Sequence, residues 1–296
     1  MRNNLFLFFL LFAGSVFSQA KWYNDGHGKM VKIPLGDVAF ADEVVSFTMG
    51  FPPSVARDSS MALGPPDYDG GSGNFVSLGC GGSIVLRFRD NCIRDVEGPD
   101  IFVFELGKYV ESTNIQISED LQTWIDLGNI GGGQVSVDIA GKVKPGQVFS
   151  YIKLTDLKNA CSRSDSWPGA DIDAVAAIGS GFRFFLNCEV LFDPGKWDLK
   201  PAGENDLEKL LKFLGNIKPG SIRLEGHTDS DGSDTFNQKL SEKRSASIEQ
   251  WLTGKALSEW KLASLGYGKT RPVGDNLTKD GKQKNRRVEV IIIPGD

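Results

Sequence analysis

The stretch Leu224-Glu-Gly-His-Thr-Asp-Ser-Asp-Gly-Ser-Asp-Thr-Phe-Asn-Gln-Lys-Leu-Ser-Glu-Lys-Arg244 decides the fold of the C-terminal part of this 296-residue chain. Its apolar start predicts a short strand, the Asp-, Ser- and Gly-rich segment predicts a tight loop, and the remainder predicts a helix. Asp229 lies where the strand ends, and Arg244 lies inside the helix. A carboxylate and a guanidinium are therefore expected to face one cleft, which predicts a binding site for a small zwitterion.

The residues around this stretch, 181–296, predict an α+β domain. Leucines at helical spacing form the buried stripe of its first helix: Leu207, Leu210, Leu211 and Leu214. The expected elements are strand Phe184–Leu191, helix Ala202–Leu214, strand Ser221–Gly226, a helix from about Phe236 to Leu252, and strands Lys261–Gly266 and Arg287–Ile293. This β-α-β-α-β-β order predicts a mixed sheet with helices on one face.

Several motifs of this domain resemble the C-terminal domain of the OmpA/MotB type. They are Gly226-His-Thr-Asp229, Asn237-x-x-Leu240-Ser241-x-x-Arg244, Gly266-Tyr-Gly268 and Asn285-Arg-Arg-Val-Glu289. The resemblance covers about residues 185–294 and implies non-covalent binding of peptidoglycan, chiefly through the diaminopimelate of the stem peptide. It also implies that Asp229 and Arg244 are the principal ligand residues.

These two residue types suit the implied ligand. Diaminopimelate in the wall offers an ammonium beside a carboxylate, which a carboxylate side chain and a bidentate guanidinium bind in turn. Asp229 has a second interpretation as a turn former that binds local amides. Leu240 also suits a core position, and Ser241 also suits a supporting one. The further residues expected at the cleft are Asn237, Thr228, Ser241, Leu240, Phe192 and Arg286.

Residues 21–180 predict an all-β domain, because short β-branched and aromatic runs alternate there with Gly, Pro, Asp and Asn clusters. Three pieces resemble the discoidin or galactose-binding-like superfamily: Ile115–Trp124, Phe149–Leu154 and Ala174–Ile178. The resemblance implies a jelly-roll β-sandwich whose loops bind sugar. The domain boundary is expected at Gly179-Ser-Gly181, so the second domain begins at residue 181.

Two kinds of site are candidates in this first domain. Trp167 and Tyr68 are the candidate sugar contacts, since both lie in polar loops. Calcium takes six to eight oxygen ligands, and acidic residues that neighbouring strands could bring together are Asp100, Glu105, Asp171 and Asp173. The alternative is that these carboxylates belong to solvated acidic loops. Calcium apart, no cofactor is expected.

Residues 1–20 predict a signal peptide, because Arg2 precedes the apolar run Leu5–Phe12 and small residues follow. An exported protein is therefore expected, and the OmpA/MotB-type resemblance implies that it acts in the periplasm, associated with the cell wall and outer membrane. Export also permits disulfides. One bridge is expected among Cys80, Cys92 and Cys161, while the connectivity stays open.

These observations predict a binding protein rather than an enzyme, with peptidoglycan anchoring a β-sandwich recognition module at the bacterial cell envelope. No P-loop and no nucleophile elbow occurs. The expected partners are the stem peptide and, through the sandwich, a glycan or an envelope protein. A net charge of −5 argues against a nucleic-acid partner. The alternatives are a wall- or glycan-degrading enzyme with the same anchor and an OmpA-like outer-membrane barrel protein.

Overall fold

The computed structural model describes residues 20–68, 74–106, 111–131, 135–158, 166–255 and 257–295. The chain divides into two compact units, of which the first ends at Ser180 and the second begins at Gly181. The expected signal peptide, apart from residue 20, lies outside the described residues. Within the described part, no helix combines the length and the apolar character needed to cross a membrane.

The N-terminal unit is rich in β-structure. Short 3-10 helices span Gly36–Ala39 and Ser59–Ala62. The strands are β1 (Lys21–Asn24), β2 (Met30–Ile33), β3 (Glu43–Thr48), β4 (Val76–Ser77), β5 (Ser83–Arg87), β6 (Asn91–Ile93), β7 (Ile101–Leu106), β8 (Thr113–Ser118), β9 (Ile125–Ile130), β10 (Ser136–Val137), β11 (Tyr151–Asp156) and β12 (Asp171–Ala177).

Two antiparallel sheets of this unit contribute to one hydrophobic core. Their strand orders are β10-β7-β12-β4 and β3-β5-β11-β8-β9. The core cluster contains Ile101 and Ile172 of the first sheet together with Ile84, Ile115 and Ile152 of the second. Burial of apolar surface at roughly 25 cal/mol per Å² is the main term that stabilises such an arrangement.

Strand β12 is buried along its whole length, which explains the apolar run that ends it, residues 174–177. Val175 belongs to the large core, whereas Ala174 and Ala176 on the other face belong to a second cluster with Phe40 and Phe104. The hairpin of β1 and β2 packs against this second cluster through Tyr23 and Val31. A strand covered on both faces has no polar face to alternate with the apolar one.

The cysteines of the chain differ in state. Cys80 is disulfide-bonded. Cys92 and Cys188 are buried and carry reduced thiols. Burial raises the pKa of the Cys188 thiol to about 11, against the opposing effect of Arg244 and Arg287. Cys161 lies outside the described residues.

The C-terminal unit combines a mixed sheet with helices. Its elements are β13 (Ser180–Asn187), α1 (Cys188–Leu191), α2 (Pro201–Leu214), β14 (Ser221–Gly226), α3 (Asp234–Thr253), β15 (Lys261–Gly266), α4 (Lys279–Asn285) and β16 (Arg287–Ile293). The strands follow the order β15-β14-β16-β13. Strand β14 pairs with β15 in parallel and with β16 antiparallel, and β13 pairs with β16 antiparallel. The mixed sheet is as predicted.

Two short helices correct the predicted β-α-β-α-β-β order. The expected first strand stops at Asn187, whose side chain accepts a hydrogen bond from the amide of Glu189 at 2.9 Å and starts α1. Helix α4 was not expected, because its sequence has no apolar stripe. The Thr278 hydroxyl accepts from the Gly281 amide at 3.0 Å. A Cβ at Gly281 would lie 2.0 Å from the carbonyl oxygen of Asp275, so glycine is required there.

Candidate functional site

The end of strand β14 brings the Gly-His-Thr-Asp motif against helix α3. A Cβ on Gly226 would lie 2.2 Å from the Ser241 carbonyl oxygen, so only glycine allows this close approach. The amide of His227 bonds to the Arg287 carbonyl at 2.9 Å, and the amide of Thr228 to the Gly268 carbonyl at 2.9 Å. Asp229 is therefore held at the point where the sheet gives way to the loop.

A cleft of about 510 Å³ opens beside this loop. Of the predicted binding residues it is lined by Phe192, Thr228, Asp229, Asn237, Leu240, Arg244 and Arg286. Sequence reasoning missed the remaining lining residues, which are Cys188, Glu189, Pro194, Gly195, Lys200, Asp231 and Phe236. Most of these come from the segment around α1, which contains no motif that would have pointed to the cleft.

Arg244 is buried and held by the loop that follows α1. Its Nε donates to the carbonyl oxygen of Lys196 at 2.9 Å, and Nη2 donates to that of Asp193 at 3.4 Å. Its guanidinium carbon lies 5.3 Å from the centre of the Phe192 ring. Among the described ion pairs none includes Arg244, so neutral groups orient this cation and leave its charge available to a ligand carboxylate.

Asp229 is buried and already engaged on both carboxylate oxygens. Oδ1 accepts from the amide of Asp231 at 3.0 Å, as the turn-former interpretation expected. Oδ2 forms an ion pair with Nη1 of Arg286, whose Nη2 lies 2.5 Å from Oε1 of Glu189. Burial acts to lower the pKa of Arg286, but its bonds to Asp229 and Glu189 outweigh this and raise the pKa.

Three neighbouring polar side chains shape the loop. Asn237 donates from Nδ2 to the carbonyl oxygen of Asp231 at 2.9 Å, and the Thr228 hydroxyl donates to that of Asp229 at 3.0 Å. Ser241 has the supporting position that its sequence also suits, because it is fully buried and does not line the cleft. Its hydroxyl accepts from the Gly268 amide at 2.9 Å and donates to the Gln238 carbonyl at 2.8 Å, so it joins α3 to the following loop.

A buried network of charged groups lies at the end of the sheet. Potential metal-ligand atoms of Glu225, His227 and Glu289 lie within 4.8 Å of one another. Arg287 binds Glu289 through Nε at 2.8 Å and Nη2 at 2.5 Å. Burial, followed by the charge of Arg287, lowers the pKa of His227 to about 3. Arg287 already neutralises the carboxylate of Glu289, so this network suits a structural role better than the binding of a cation.

In the N-terminal unit, the two predicted sugar contacts lie against one ring. The Trp167 and Phe75 ring centres are 5.7 Å apart at 82°, and the Tyr68 and Phe75 centres are 6.3 Å apart at 71°. Phe75 is buried, whereas Trp167 is 37% and Tyr68 40% exposed. The fold therefore brings these two aromatic side chains together at a surface.

The four predicted calcium ligands do not form one shell. Asp100 directly precedes β7 and Glu105 lies near the other end of that strand, a separation of roughly 16 Å for extended chain. Both carboxylate oxygens of Asp100 accept from backbone amides at 2.8 Å, those of Val96 and Ile139. The other three carboxylates lie toward the far end of the strand, which is a correction to the prediction.

The carboxylates at that far end have separate surroundings. Burial, followed by a hydrogen bond with Glu111, raises the pKa of Glu105 to about 11, and the charge of Asp171 adds to the effect. Asp173 accepts from the Asp67 amide at 3.4 Å. A different acidic group, Asp95, Asp100 and Asp138, has carboxylate oxygens within 4.8 Å of one another. Sequence reasoning did not single out that group.

Comparison with known proteins gives a family match within the C-terminal unit and curated relatives that match more than a third of the chain. Residues 191–286 match the OmpA family. Outer membrane porin F of Pseudomonas fluorescens is 38% identical over 107 residues, which make up 36% of this chain and 33% of that protein. Outer-membrane lipoprotein YfiB of Pseudomonas aeruginosa is 36% identical over 112 residues, 38% of this chain and 67% of that protein.

Solved structures align with part of this chain. The cell wall anchor of the T6SS from Pseudomonas aeruginosa aligns with a TM-score of 0.35 and 22% identity, covering 39% of this chain and 82% of that one. The chain spans only about a third of the length of the porin F relative, so its whole-protein properties do not follow from that match. Through its C-terminal domain, this chain belongs to the OmpA family.

Proposed function

We propose that this protein binds peptidoglycan without a covalent bond, through the diaminopimelate of the stem peptide, and thereby holds its β-rich unit at the bacterial cell envelope. One observation carries the proposal: Asp229 and Arg244 line the same cleft. Diaminopimelate presents an ammonium and a carboxylate on one carbon atom. An anionic and a cationic side chain on one cleft can therefore bind both groups together.

Arg244 is the carboxylate receptor in this proposal. Its guanidinium donates to the carbonyl oxygens of Lys196 and Asp193, which position the group but do not neutralise it. A charge that is buried and already oriented loses little rotational freedom when a ligand binds. Its attraction to a ligand carboxylate is also screened less than it would be in water. Both effects favour binding of the carboxylate at this point.

Asp229 is the receptor for the ammonium. Its carboxylate is held by the amide of Asp231, and the loop that carries it is bound by Asn237 and Thr228. These contacts fix the direction of the carboxylate before a ligand arrives. Each charge-assisted hydrogen bond contributes roughly 1.5–3 kcal/mol. Two such groups predict binding in the micromolar class, which suffices when the polymeric wall is in excess.

Family membership supports the envelope location. The curated relatives are an outer membrane porin and an outer-membrane lipoprotein by name. We therefore propose that the chain is exported and acts in the periplasm, beside the cell wall and outer membrane. Binding, rather than catalysis, is the proposed activity of the cleft.

Sedimentation with purified sacculi tests the proposal. The full chain is expected to sediment with sacculi, and Asp229→Asn and Arg244→Gln are each expected to weaken binding tenfold or more. Asp206→Asn is the matched control, since Asp206 pairs with Lys209 on helix α2, outside the cleft. Unchanged binding by both cleft variants, with the fold intact by circular dichroism, would contradict the assigned site.

For the β-rich unit we propose a jelly-roll sandwich that recognises a glycan or an envelope protein through Trp167 and Tyr68. The shared contact of both rings with Phe75, and their exposure, support this. A glycan array probed with the full chain tests it, and Trp167→Ala should remove any sugar signal. Release of muropeptides from sacculi by the full chain would instead favour a wall-degrading enzyme.

A further inference from the structure

The cleft carries an internal ion pair that occupies the proposed ammonium receptor. Arg286 lies between two carboxylates, with Nη1 paired to Oδ2 of Asp229 and Nη2 located 2.5 Å from Oε1 of Glu189. Glu189 is itself held from the other side, because Nε2 of Gln283 donates to its Oε2 at 3.0 Å. Asp229, Glu189 and Arg286 all line the cleft. The site that should receive a cation therefore already contains one.

This arrangement differs from that of the carboxylate receptor. Arg244 is oriented by carbonyl oxygens, so a ligand carboxylate displaces no ionic partner there. A ligand ammonium, by contrast, must compete with the guanidinium of Arg286 for Asp229. If Asp229 were the only carboxylate beside Arg286, the exchange would leave the guanidinium charge desolvated and unpaired, which costs free energy. The position of Glu189 removes this problem.

We infer that Glu189 is a positioning residue that retains Arg286 when Asp229 exchanges Arg286 for the ammonium of the ligand. The inference rests on the proposed function of the cleft. In the structure, Arg286 is shared between the two carboxylates. In the occupied cleft, Asp229 binds the ammonium and Glu189 alone keeps the guanidinium paired. Glu189 is the more exposed of the two carboxylates, at 47% against 9% for the side chain of Asp229, which suits a holding role at the rim.

The exchange also bears on selectivity. An amine alone must displace Arg286 from Asp229 and gains no further ionic contact. A ligand that carries a carboxylate beside the ammonium gains the contact with Arg244 in the same event. The guanidinium in the cleft thus acts against simple amines and favours a diaminopimelate-type zwitterion over a lysine-type side chain.

Calorimetric titration of the full chain with two synthetic stem tripeptides tests the inference, one with meso-diaminopimelate and one with lysine in its place. Glu189→Gln is expected to weaken binding of the diaminopimelate peptide about tenfold, because Arg286 then has no second carboxylate. The double variant Glu189→Gln/Arg286→Gln should recover affinity relative to the single variant. The lysine peptide should show the same order of affinities among the variants. NMR replaces calorimetry for this peptide if binding is weak.

Glu208→Gln is the matched control for the loss of a negative charge. Glu208 lies outside the cleft and pairs with Lys255 at 2.7 Å, and its side chain is 49% exposed, close to the exposure of Glu189. Its variant is expected to leave binding unchanged. Equal losses in Glu189→Gln and Glu208→Gln would overturn the inference, because net charge alone would then account for both.

The two proposals fail in different ways. If Asp229→Asn and Arg244→Gln abolish binding while Glu189→Gln behaves like the wild type, the proposed function stands and the partner exchange is wrong. If the wild-type chain binds neither tripeptide nor sacculi, the proposed function itself is wrong. If the double variant binds no better than Glu189→Gln, Glu189 acts without Arg286 and the inference is also overturned.

Discussion

The guanidinium carbon of Arg244 lies 5.3 Å from the centre of the Phe192 ring. Arg244 belongs to helix α3, and Phe192 follows the short helix α1, so the contact joins two elements that are far apart in the chain. The carbonyl oxygens of Lys196 and Asp193, from the same loop as Phe192, complete the support of the guanidinium. The carboxylate receptor is therefore built by this loop as much as by the helix that carries the arginine.

Replacing Phe192 by Leu should weaken sacculus binding about two- to tenfold. The substitution keeps an apolar side chain at a buried position but removes the ring face beneath the guanidinium, a contact of roughly 0.5–2 kcal/mol. Phe182→Leu is the control, since the Phe182 ring packs on Phe213 at 5.0 Å and not on an arginine of the cleft. Equal affinities of both variants would show that the ring does not support Arg244.

Ser241→Ala should lower stability and leave the saturating level of sacculus binding unchanged. The serine hydroxyl accepts from the buried amide of Gly268 at 2.9 Å, and an unsatisfied buried amide costs roughly 1–3 kcal/mol. Thermal unfolding measures the loss, with Ser247→Ala as the control because the Ser247 hydroxyl is exposed. A stable variant with reduced binding would restore Ser241 as a ligand residue.

Gly226→Ala should destabilise the C-terminal unit strongly. A Cβ there would lie 2.2 Å from the Ser241 carbonyl oxygen, so helix α3 would have to move away from strand β14. Gly215→Ala is the matched control, since its Cβ would meet no atom closer than 3.6 Å and its backbone is helical. Chemical denaturation should show a lower midpoint for the first variant and an equal or higher one for the second.

His227 should make the C-terminal unit less stable in acid. Burial lowers the pKa of His227 to about 3 in the folded protein, below the ordinary histidine pKa of roughly 6.5. The unfolded chain therefore binds more protons between these values, so the free energy of unfolding falls as the pH drops below about 6.5. Calorimetry of His227→Gln against wild type should show a stability difference that changes over this interval. A constant difference would contradict a neutral, buried imidazole.

Asp173 should make the N-terminal unit more stable in acid, the opposite of the effect of His227 on the C-terminal unit. Burial raises the pKa of Asp173 to about 6, while its amide partners at Asp67 and Tyr68 act against this. The folded state then binds more protons than the unfolded state between roughly pH 4 and 6, so this contribution to stability is lost as the pH rises through that range. Asp173→Asn, which keeps an acceptor for the Asp67 amide, should flatten the dependence in the same calorimetric series.

Much of the C-terminal fold could be predicted from local patterns. Strands Ser221–Gly226, Lys261–Gly266 and Arg287–Ile293 have the bounds expected from their apolar residues. Cys188–Leu191 was expected to continue a strand, because an apolar run of four residues has no period that separates strand from helix. The Asn187 side chain, which caps Glu189, decides that point. The exposed hairpin of β1 and β2 was missed for a similar reason, since its strands have only four residues each.

The candidate site could likewise be predicted only in part from local patterns. Asp229 and Arg244 could be named because both lie in one continuous motif. Ser241 lies in that motif as well, yet its hydroxyl faces Gly268 and not the cleft. The four acidic residues expected to share calcium were grouped because neighbouring strands could bring them together. Strands β7 and β12 do pair, but Asp100 precedes β7 whereas Glu105 lies near its other end.

The sequence by itself determined the strand, loop and helix that carry the cleft, together with the charges on Asp229 and Arg244, because residue spacing and side-chain chemistry are local properties. Only the tertiary structure decided that Arg286 pairs with Asp229 and that Glu189, 97 residues before Arg286, holds its other side. Such pairing depends on which side chains the folded sheet and helices bring within hydrogen-bond distance. Long-range packing sets that distance, and no short segment of the chain encodes it.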